Sequence, residues 1–168
     1  MIVYLGLGSN EGDRRSMLDR AVALLATRVG TVLACSSYIE TEPWGFESPH
    51  PFLNAVVCLY TTLSPHRLLD VTQAIERCLG RQRKTVDGHY ADRPIDIDIL
   101  LIGQRVIRTA RLTVPHPLML QREFVWRPLL EIAPEVVEPV SGKPVASLVL
   151  SEEDADATAS EAGGRKKR

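Results

Sequence analysis

The sequence predicts an α+β domain, and the order of its periodic segments is the main reason. Short runs rich in apolar and β-branched residues alternate with two segments whose apolar residues recur at helical spacing. Along the chain the order is strand, helix, strand, strand, helix, strand. This βαββαβ order is typical of the ferredoxin-like arrangement, an antiparallel sheet with helices on one face, and we expect further short elements after it.

Length, charge and cysteine content limit the function classes. The chain has 168 residues, 45% of them hydrophobic, and a formal net charge of −1, which suits one domain with its own core. This charge gives no reason to expect nucleic acid or an anionic membrane as a partner, and no apolar run is long enough to span a bilayer. There is no signal-peptide pattern, and Cys35, Cys58 and Cys78 lack metal-ligand spacing. We therefore expect a cytoplasmic monomer with reduced thiols.

The first two elements are a strand and a helix. Ile2 to Leu7 predicts the strand and residues 8–13 a turn, with Asp13 as the N-cap of a helix over Arg14 to Val29. Gly30 is a suitable stop. The Gly-Ser-Asn sequence in this turn can bind an anion through backbone N–H groups, but without a Walker pattern it is more often ordinary turn chemistry.

Two strands follow, separated by a long loop. Thr31 to Thr41 predicts the second strand and Phe52 to Thr61 the third. The proline-rich loop between them carries Trp44 and Phe46, so it is either a binding loop or an aromatic cap on the core. Asn54 shares a face of the third strand with apolar neighbours. A buried asparagine needs partners, either its own backbone surroundings or the edge of a polar ring.

The second helix is predicted to begin at Ser64-Pro65 and to end at Gly80. Gln73 and Glu76 are three residues apart and share one face of it. That face is either ordinary solvated surface or directed at the fourth strand.

The fourth strand, up to Ile102, carries two acidic residues. Asp96 and Asp98 are expected side by side, with their Cα atoms about 6–7 Å apart. Buried carboxylates require arginine or a divalent metal, and hard oxygen ligands favour Mg²⁺; the alternative is a solvated strand end. Strand alternation predicts one face of Ile95, Ile97, Ile99 and Leu101 and another of Asp96, Asp98, Leu100 and Ile102.

The segment over residues 81–93 is strongly charged. Three cations open it, Arg93 closes it, and it leads directly into the aspartate strand. A charge run is usually a solvated face, but cations beside two carboxylates are also the composition expected around a polyphosphate.

The end of the chain adds smaller elements. We expect a short strand at Arg105 to Ile107, a histidine held on stiff backbone between two prolines at His116, and a helix over Val125 to Ile132 with Pro128 in its first turn. Residues 1–150 form the predicted domain, and 151–168 form an acidic, disordered tail with a basic end.

Taken together, these motifs resemble one family. They are Gly8-Ser9-Asn10, Thr41-Glu42-Pro43-Trp44-Gly45, Phe52-Leu53-Asn54-Ala55, Thr72-Gln73-Ala74-Ile75-Glu76, Gly80-Arg81-Gln82-Arg83, Arg93-Pro94-Ile95-Asp96-Ile97-Asp98-Ile99, Arg111 to Pro117 and Arg122-Glu123-Phe124. Each is weak alone, but in this order and spacing they resemble 6-hydroxymethyl-7,8-dihydropterin pyrophosphokinase of folate biosynthesis, from Ile2 to roughly Pro139. That family moves the β,γ-pyrophosphoryl group of ATP to the pterin hydroxymethyl oxygen and releases AMP.

The resemblance also implies roles for individual residues. Asp96 and Asp98 would hold two Mg²⁺ ions that bridge the phosphates of the co-substrate ATP, and no general base stands out. The arginines implied in catalysis are Arg81, Arg83 and Arg93. The implied ATP-side residues are Gln73, Glu76, Arg93, Arg111, Thr113, His116 and Arg122. The implied pterin-side residues are Thr41, Pro43, Trp44, Phe52, Asn54, Tyr90 and Phe124.

Two positions depart from the family pattern. Relatives usually carry Arg-Trp-Gly-Pro-Arg where this chain has His89-Tyr90-Ala91-Asp92-Arg93. Tyr90 still supplies an aromatic lid, whereas Asp92 puts an acid near the phosphates, which repels unless it binds metal or arginine. Relatives also commonly have tyrosine in place of Phe52, so a hydroxyl hydrogen bond is lost while ring stacking is kept.

Two other classes share some of these features. Nucleotidyltransferases also combine a Gly-Ser turn with an Asp-x-Asp strand, but their Gly-Ser usually lies shortly before the aspartates, and they release pyrophosphate. A non-catalytic ferredoxin-like binding module would not need Asp96 and Asp98. The family resemblance favours the pyrophosphokinase over both.

Overall fold

The computed structural model describes residues 1–42, 50–80 and 94–150. In chain order the elements are β1 (Ile2–Ser9), α1 (Arg14–Arg28), β2 (Gly30–Cys35), β3 (Ile39–Thr41), β4 (Phe52–Thr61), α2 (Pro65–Cys78), β5 (Asp96–Ile102), β6 (Ile107–Arg108), β7 (Thr113–Val114), α3 (Glu123–Ile132), β8 (Val137–Glu138) and β9 (Lys143–Pro144).

The main sheet has the strand order β2-β4-β1-β5, and β3 pairs with β4 beyond the end of β2. Every pairing in this sheet is antiparallel. The predicted class, a mixed α and β fold with an antiparallel sheet and helices, is confirmed.

Helices cover the two faces of the sheet unequally. On one face, α1 and α2 pack Leu18 and Leu68 against inward residues of the strands such as Leu5 and Ile97, in the larger buried cluster. On the other face, α3 contributes Trp126 and its neighbours to a second, smaller cluster. Beside α3 on this second face, the described residues form a cleft.

The ends of α1 and α2 follow the sequence signals. Asp13 caps α1, since its Oδ1 accepts a hydrogen bond from the backbone N–H of Ser16 at 3.1 Å. Pro65 begins α2 directly after Ser64, and Gly80 beyond its end has a φ of +102°. Within the described ranges, no helix combines the length and the apolar character that a membrane crossing requires.

The face pattern predicted for β5 is wrong in its second half. Leu5 pairs with Ile99 but Tyr4 pairs with Leu101, so Leu100 is the extra residue of a β-bulge. As a result Leu100 and Leu101 both lie in the α3-side cluster, while Ile102 lies in the larger one. Every residue here is apolar, so no polar alternation marked the change of face.

Several boundaries also differ from prediction. Strand β1 continues through Ser9, because the predicted turn residues at 8 and 9 still pair with β4. The strand predicted over Thr31 to Thr41 is two strands, separated where Ser36 exchanges hydrogen bonds with the backbone of Val56. The short strand expected at Arg105 to Ile107 lies at Ile107–Arg108.

Helix α3 begins two residues earlier than predicted. It starts at Glu123, so Pro128 lies inside the helix rather than in its first turn. Proline has no N–H to donate to the carbonyl of Phe124 one turn earlier. Pro128 is buried in the interior, so packing of its ring contributes stability against the cost of the lost bond.

Candidate active site

A cleft opens on the α3 side of the sheet, where β4, β1 and β5 run side by side. Gly8 on β1 pairs with Asn54 on β4 and with Asp96 on β5, so these three residues form a row across the sheet. Two strand spacings separate Asn54 from Asp96, which is about 10 Å. Asp98 lies one row further along β5 and also lines the cleft.

The structure brings together seven of the residues that the sequence predicted. The cleft is lined on its β4 side by Thr41, Phe52 and Asn54, and towards β5 and α3 by Asp96, Asp98, Arg122 and Phe124. They come from four elements and from the residue that precedes α3. One concave surface therefore combines an amide, two rings, two carboxylates and a guanidinium.

Asn54 is held in place by Thr41. Its side chain is 5% exposed, and its Nδ2 donates a hydrogen bond of 2.6 Å to the Thr41 hydroxyl oxygen. Its partner is therefore a side-chain hydroxyl, whereas the sequence had suggested either the surrounding backbone or the edge of a polar ring. The β3–β4 pairing, which places Thr41 opposite Phe52, supplies it.

Asp96 and Asp98 are half-buried at the leading end of β5, with Ile97 buried between them on the opposite face. The backbone N–H of Ile97 donates a hydrogen bond of 3.0 Å to the Glu76 carboxylate, which is 2% exposed. The face of α2 that carries Glu76 is therefore directed at the aspartate strand and is not ordinary solvated surface. Gln73 on the same helix is half-buried.

The two aspartates have the ligand chemistry that Mg²⁺ prefers. Within residues 1–42, 50–80 and 94–150 there is no group of three or more His, Cys, Asp or Glu residues that could hold a metal ion. Mg²⁺, however, is commonly bound through one or two carboxylates and takes its other ligands from water and phosphate. Asp96 and Asp98, which both line the cleft, could supply these carboxylates.

Arg122 contributes positive charge at the α3 side of the cleft. Its side chain is 8% exposed, and its guanidinium carbon lies 5.8 Å from the centroid of the Phe124 ring. A guanidinium over an aromatic face is attracted by the ring quadrupole. The contact brings the guanidinium and the ring together at this side of the cleft.

Five of the described ATP-side residues lie outside this cleft lining. One is Glu76, and we call the other four the outer group: Gln73, Arg111, Thr113 and His116. Arg111 is exposed and donates a 2.6 Å hydrogen bond to Asp70 on α2, which holds the pKa of that carboxyl below its usual range. Thr113 and His116 line a second concavity with Arg108 and Glu138.

Two hydrogen bonds hold His116 in the wall of the second concavity. His116 is held at both ends, since its backbone N–H donates to Leu100 at 3.0 Å and its Nδ1 accepts from the N–H of Leu118 at 3.1 Å. Burial alone would raise the pKa of Glu138, but hydrogen bonds from Ser141 and from the N–H of Val140 outweigh it, so that pKa lies below its usual value.

Six predicted site residues fall outside the described part of the chain. They are Pro43, Trp44, Arg81, Arg83, Tyr90 and Arg93. Asp92, the acidic departure from the family pattern, is also outside it. Their roles stay predictions.

Sequence reasoning missed two side chains that position the cleft. Asn10 donates a hydrogen bond of 3.2 Å to the carbonyl of His50, and Arg14 donates one of 2.8 Å to the carbonyl of Pro51. These two carbonyls immediately precede Phe52. The Gly8-Ser9-Asn10 motif was a signal that this turn matters, but a turn alone does not reveal which backbone atoms it holds.

Comparison with known proteins decides the family. The family model of 7,8-dihydro-6-hydroxymethylpterin-pyrophosphokinase (HPPK) matches residues 4–134 of this chain. The chain belongs to this family of pyrophosphokinases. The resemblance seen in the sequence motifs is thereby confirmed.

Curated HPPK relatives match most of the chain. The 2-amino-4-hydroxy-6-hydroxymethyldihydropteridine pyrophosphokinase of Porphyromonas gingivalis is 58% identical over 134 residues, which cover 79% of this chain and 91% of that protein. The enzyme of the same name from Bacillus subtilis is 46% identical over 136 residues, covering 80% of each.

Solved HPPK structures show the same fold. A crystal structure of an HPPK-DHPS in complex with substrates has a TM-score of 0.70 at 15% identity, covering 92% of this chain and 44% of that one. Wild-type Plasmodium falciparum HPPK-DHPS with SDX-DHP gives 0.71 at 15% identity, covering 90% and 44%. This chain thus spans less than half the length of those two-part chains.

Proposed function

We propose that the cleft transfers the pyrophosphoryl group of ATP to the hydroxymethyl oxygen of 6-hydroxymethyl-7,8-dihydropterin and releases AMP, a step of folate biosynthesis. The observation that carries this is the row across β4, β1 and β5, which places a buried amide about 10 Å from a carboxylate. A flat bicyclic ring bound at Asn54 spans most of that distance. Its hydroxymethyl arm then points towards Asp96 and Asp98.

The β4 side of the cleft suits a pterin ring. Phe52 and Phe124 both line it and would stack on the two faces of the ring. Asn54 would pair with the polar edge of the ring, helped by backbone around Thr41 and, outside the described residues, Pro43 and Trp44. Tyr90 would close over the ring as an aromatic lid.

The β5 side suits a metal-bound triphosphate. Asp96 and Asp98 would hold two Mg²⁺ ions, which supply charge neutralisation along the phosphates when bound. Arg122 adds a fixed positive charge nearby, and Arg81, Arg83 and Arg93 would add more. The pterin oxygen would form a bond to the β-phosphorus as the bond to the oxygen shared with the α-phosphorus breaks, and AMP keeps that oxygen. The proton of the hydroxymethyl group would pass to water.

The rest of the nucleotide would contact Glu76, Arg122 and the outer group of Gln73, Arg111, Thr113 and His116. Arg111 is paired with Asp70 in the structure. Binding of nucleotide by Arg111 would therefore replace or share that ion pair. Nucleotide contacts would form partly at the expense of contacts within the protein.

Three further proposals concern the whole chain. We infer the ferredoxin-like arrangement, which the antiparallel order β2-β4-β1-β5 and the two helices on one face support. We also propose that residues 1–150 are the pyrophosphokinase domain and that 151–168 are a tail outside it. We also propose that the protein is a cytoplasmic monomer, because both proposed substrates are small and soluble.

A product assay tests the reaction. The protein is mixed with ATP, Mg²⁺ and 6-hydroxymethyl-7,8-dihydropterin, and the nucleotides are separated. AMP that forms only when pterin is present supports pyrophosphoryl transfer. ADP would indicate ordinary phosphoryl transfer, and released pyrophosphate would indicate a nucleotidyltransferase; either result overturns the proposal.

A further inference from the structure

Gly8 occupies the centre of the row that joins the two ends of the cleft. It lies within β1, pairs with Asn54 on one side and Asp96 on the other, and lines the cleft. Its φ is not positive, so the backbone conformation does not require glycine. Glycine inside a strand weakens it and often marks a place where another group approaches closely.

The lack of free space beside Gly8 explains why this position carries no side chain. A Cβ atom added there would lie 3.0 Å from Oδ1 of Asn54 and 3.4 Å from Cδ1 of Phe52. The first distance is too short for an unstrained contact, and the second is at the lower limit of ordinary contact. Both neighbours are residues of the proposed pterin end.

Asn54 has little freedom to move away from such a side chain. It is 5% exposed on a central strand, and its Nδ2 is committed to the Thr41 hydroxyl at 2.6 Å. Rotation of the amide to relieve the contact would lengthen or break this bond. An added methyl group therefore changes the direction in which the amide presents its hydrogen-bonding atoms.

We propose that Gly8 is a specificity-determining position for the pterin: its missing side chain leaves the Asn54 amide and the Phe52 ring in the positions that recognise the ring. This rests on the proposed function. Gly8 makes no covalent or proton-transfer contribution, and its effect is confined to the pterin end of the cleft.

The test compares two glycines on one strand. Gly8→Ala should raise KM for the pterin on the order of tenfold, because displacement of a positioned group by a fraction of an ångström is costly, while KM for ATP stays within about twofold. Gly6→Ala adds the same methyl group against Leu100, whose nearest side-chain atom is 3.5 Å away. Its effect on pterin KM should be several-fold smaller. Equal effects of the two variants, or an equal rise in KM for ATP, would overturn the proposal.

A double-mutant cycle isolates the contact with Asn54. In an Asn54→Ala background the amide is gone and only the 3.4 Å approach to Phe52 remains. Gly8→Ala should therefore cost several-fold less pterin affinity than in the wild-type background, measured by fluorescence titration. The same loss in both backgrounds would contradict the proposal. If Gly8→Ala alone does not fold, thermal unfolding of the double variant tests the contact instead. Its midpoint temperature should match that of Asn54→Ala. A midpoint far below that of Asn54→Ala would refute the contact.

Wild-type controls separate this inference from the proposed reaction. Absence of AMP formation by the wild-type protein would count against pyrophosphoryl transfer. The Gly8 inference is then still decided by pterin titration of wild type and the variants and by the unfolding cycle, neither of which requires turnover.

Discussion

The cleft and the outer group differ in how the chain positions their side chains. Asn54 stands on β4 and Asp96 and Asp98 stand on β5, and both strands pair in register with β1 between them, so the geometry of the ladder fixes their separations. The outer group stands on α2 and on the segment after β5. There, Arg111 is tied to Asp70, and His116 faces a different concavity.

This difference indicates how each region meets its ligand. A row of side chains on paired strands is formed before any ligand arrives, so binding there loses little conformational entropy. An exposed arginine that is already paired must exchange partners. We therefore expect the pterin and metal side to be preorganised and the nucleotide side to adjust on binding.

The largest effect should come from the aspartates of the cleft. Asp96→Ala or Asp98→Ala should lower kcat by about 10³-fold or more, because the proposed Mg²⁺ ions would lose a carboxylate ligand. Thermal unfolding should change little, since both side chains are half-buried at a strand end. Glu135→Ala, which removes an exposed carboxylate, serves as the control for the AMP assay and should retain wild-type activity. Near-normal turnover in the aspartate variants would eliminate the metal assignment.

A smaller effect is expected where Thr41 holds Asn54. Thr41→Val keeps the shape but removes the hydroxyl that accepts the 2.6 Å hydrogen bond. Loss of one buried hydrogen bond of about 1.4 kcal/mol corresponds to about a tenfold rise in pterin KM. Thr41→Ser keeps the acceptor and should recover most of the affinity. If serine and valine behave alike in steady-state kinetics, the hydrogen bond does not orient Asn54.

Glu76 links α2 to the aspartate strand, so changing it should affect stability before catalysis. Glu76→Ala deprives the N–H of Ile97 of its 3.0 Å acceptor and should lower the free energy of unfolding by about 1–3 kcal/mol. Glu76→Gln retains an oxygen acceptor and should lose less than half as much. Urea unfolding of both variants gives the comparison, and a glutamine variant as unstable as the alanine one would show that the negative charge matters instead.

The smallest effect belongs to the exposed pair in the outer group. The Arg111 guanidinium holds the pKa of Asp70 low, so whatever the pair adds to stability is present above the ordinary carboxyl pKa and is lost as pH falls through the lowered value. The pair is exposed and screened by solvent, so Asp70→Asn should lower the urea unfolding midpoint only slightly at pH 7. Below the lowered pKa of Asp70, the substitution should leave the midpoint unchanged. KM for ATP should not rise in this variant, because Arg111 stays available. A marked rise would show that Asp70 itself contacts nucleotide or positions Arg111 for it.

The sequence predicted the regular elements well because their signals are local. Hydrophobic periodicity located α1, α2 and β4, and Asp13 and Ser64-Pro65 marked helix starts. The bulge at Leu100 left no such mark, because the neighbouring residues of β5 are all apolar.

For the cleft, residue types were predictable and partners were not. Asn54 stood out as a polar residue among apolar ones, yet its bond to Thr41 depends on the pairing of β3 with β4. Likewise, the reach of Glu76 to Ile97 depends on how α2 crosses the sheet. Contacts between residues distant in sequence follow from tertiary packing, which no local pattern encodes.

The carboxylate pair on β5 also bears on how the sheet finds its register during folding. A slip of one residue between β5 and β1 would turn Asp96 and Asp98 towards α1 and α2, into the larger apolar core. Burying two unpaired carboxylates is far more costly than the ladder bonds that such a slip would preserve. The residues proposed to bind metal therefore also destabilise the misregistered sheet during folding, before any substrate is present.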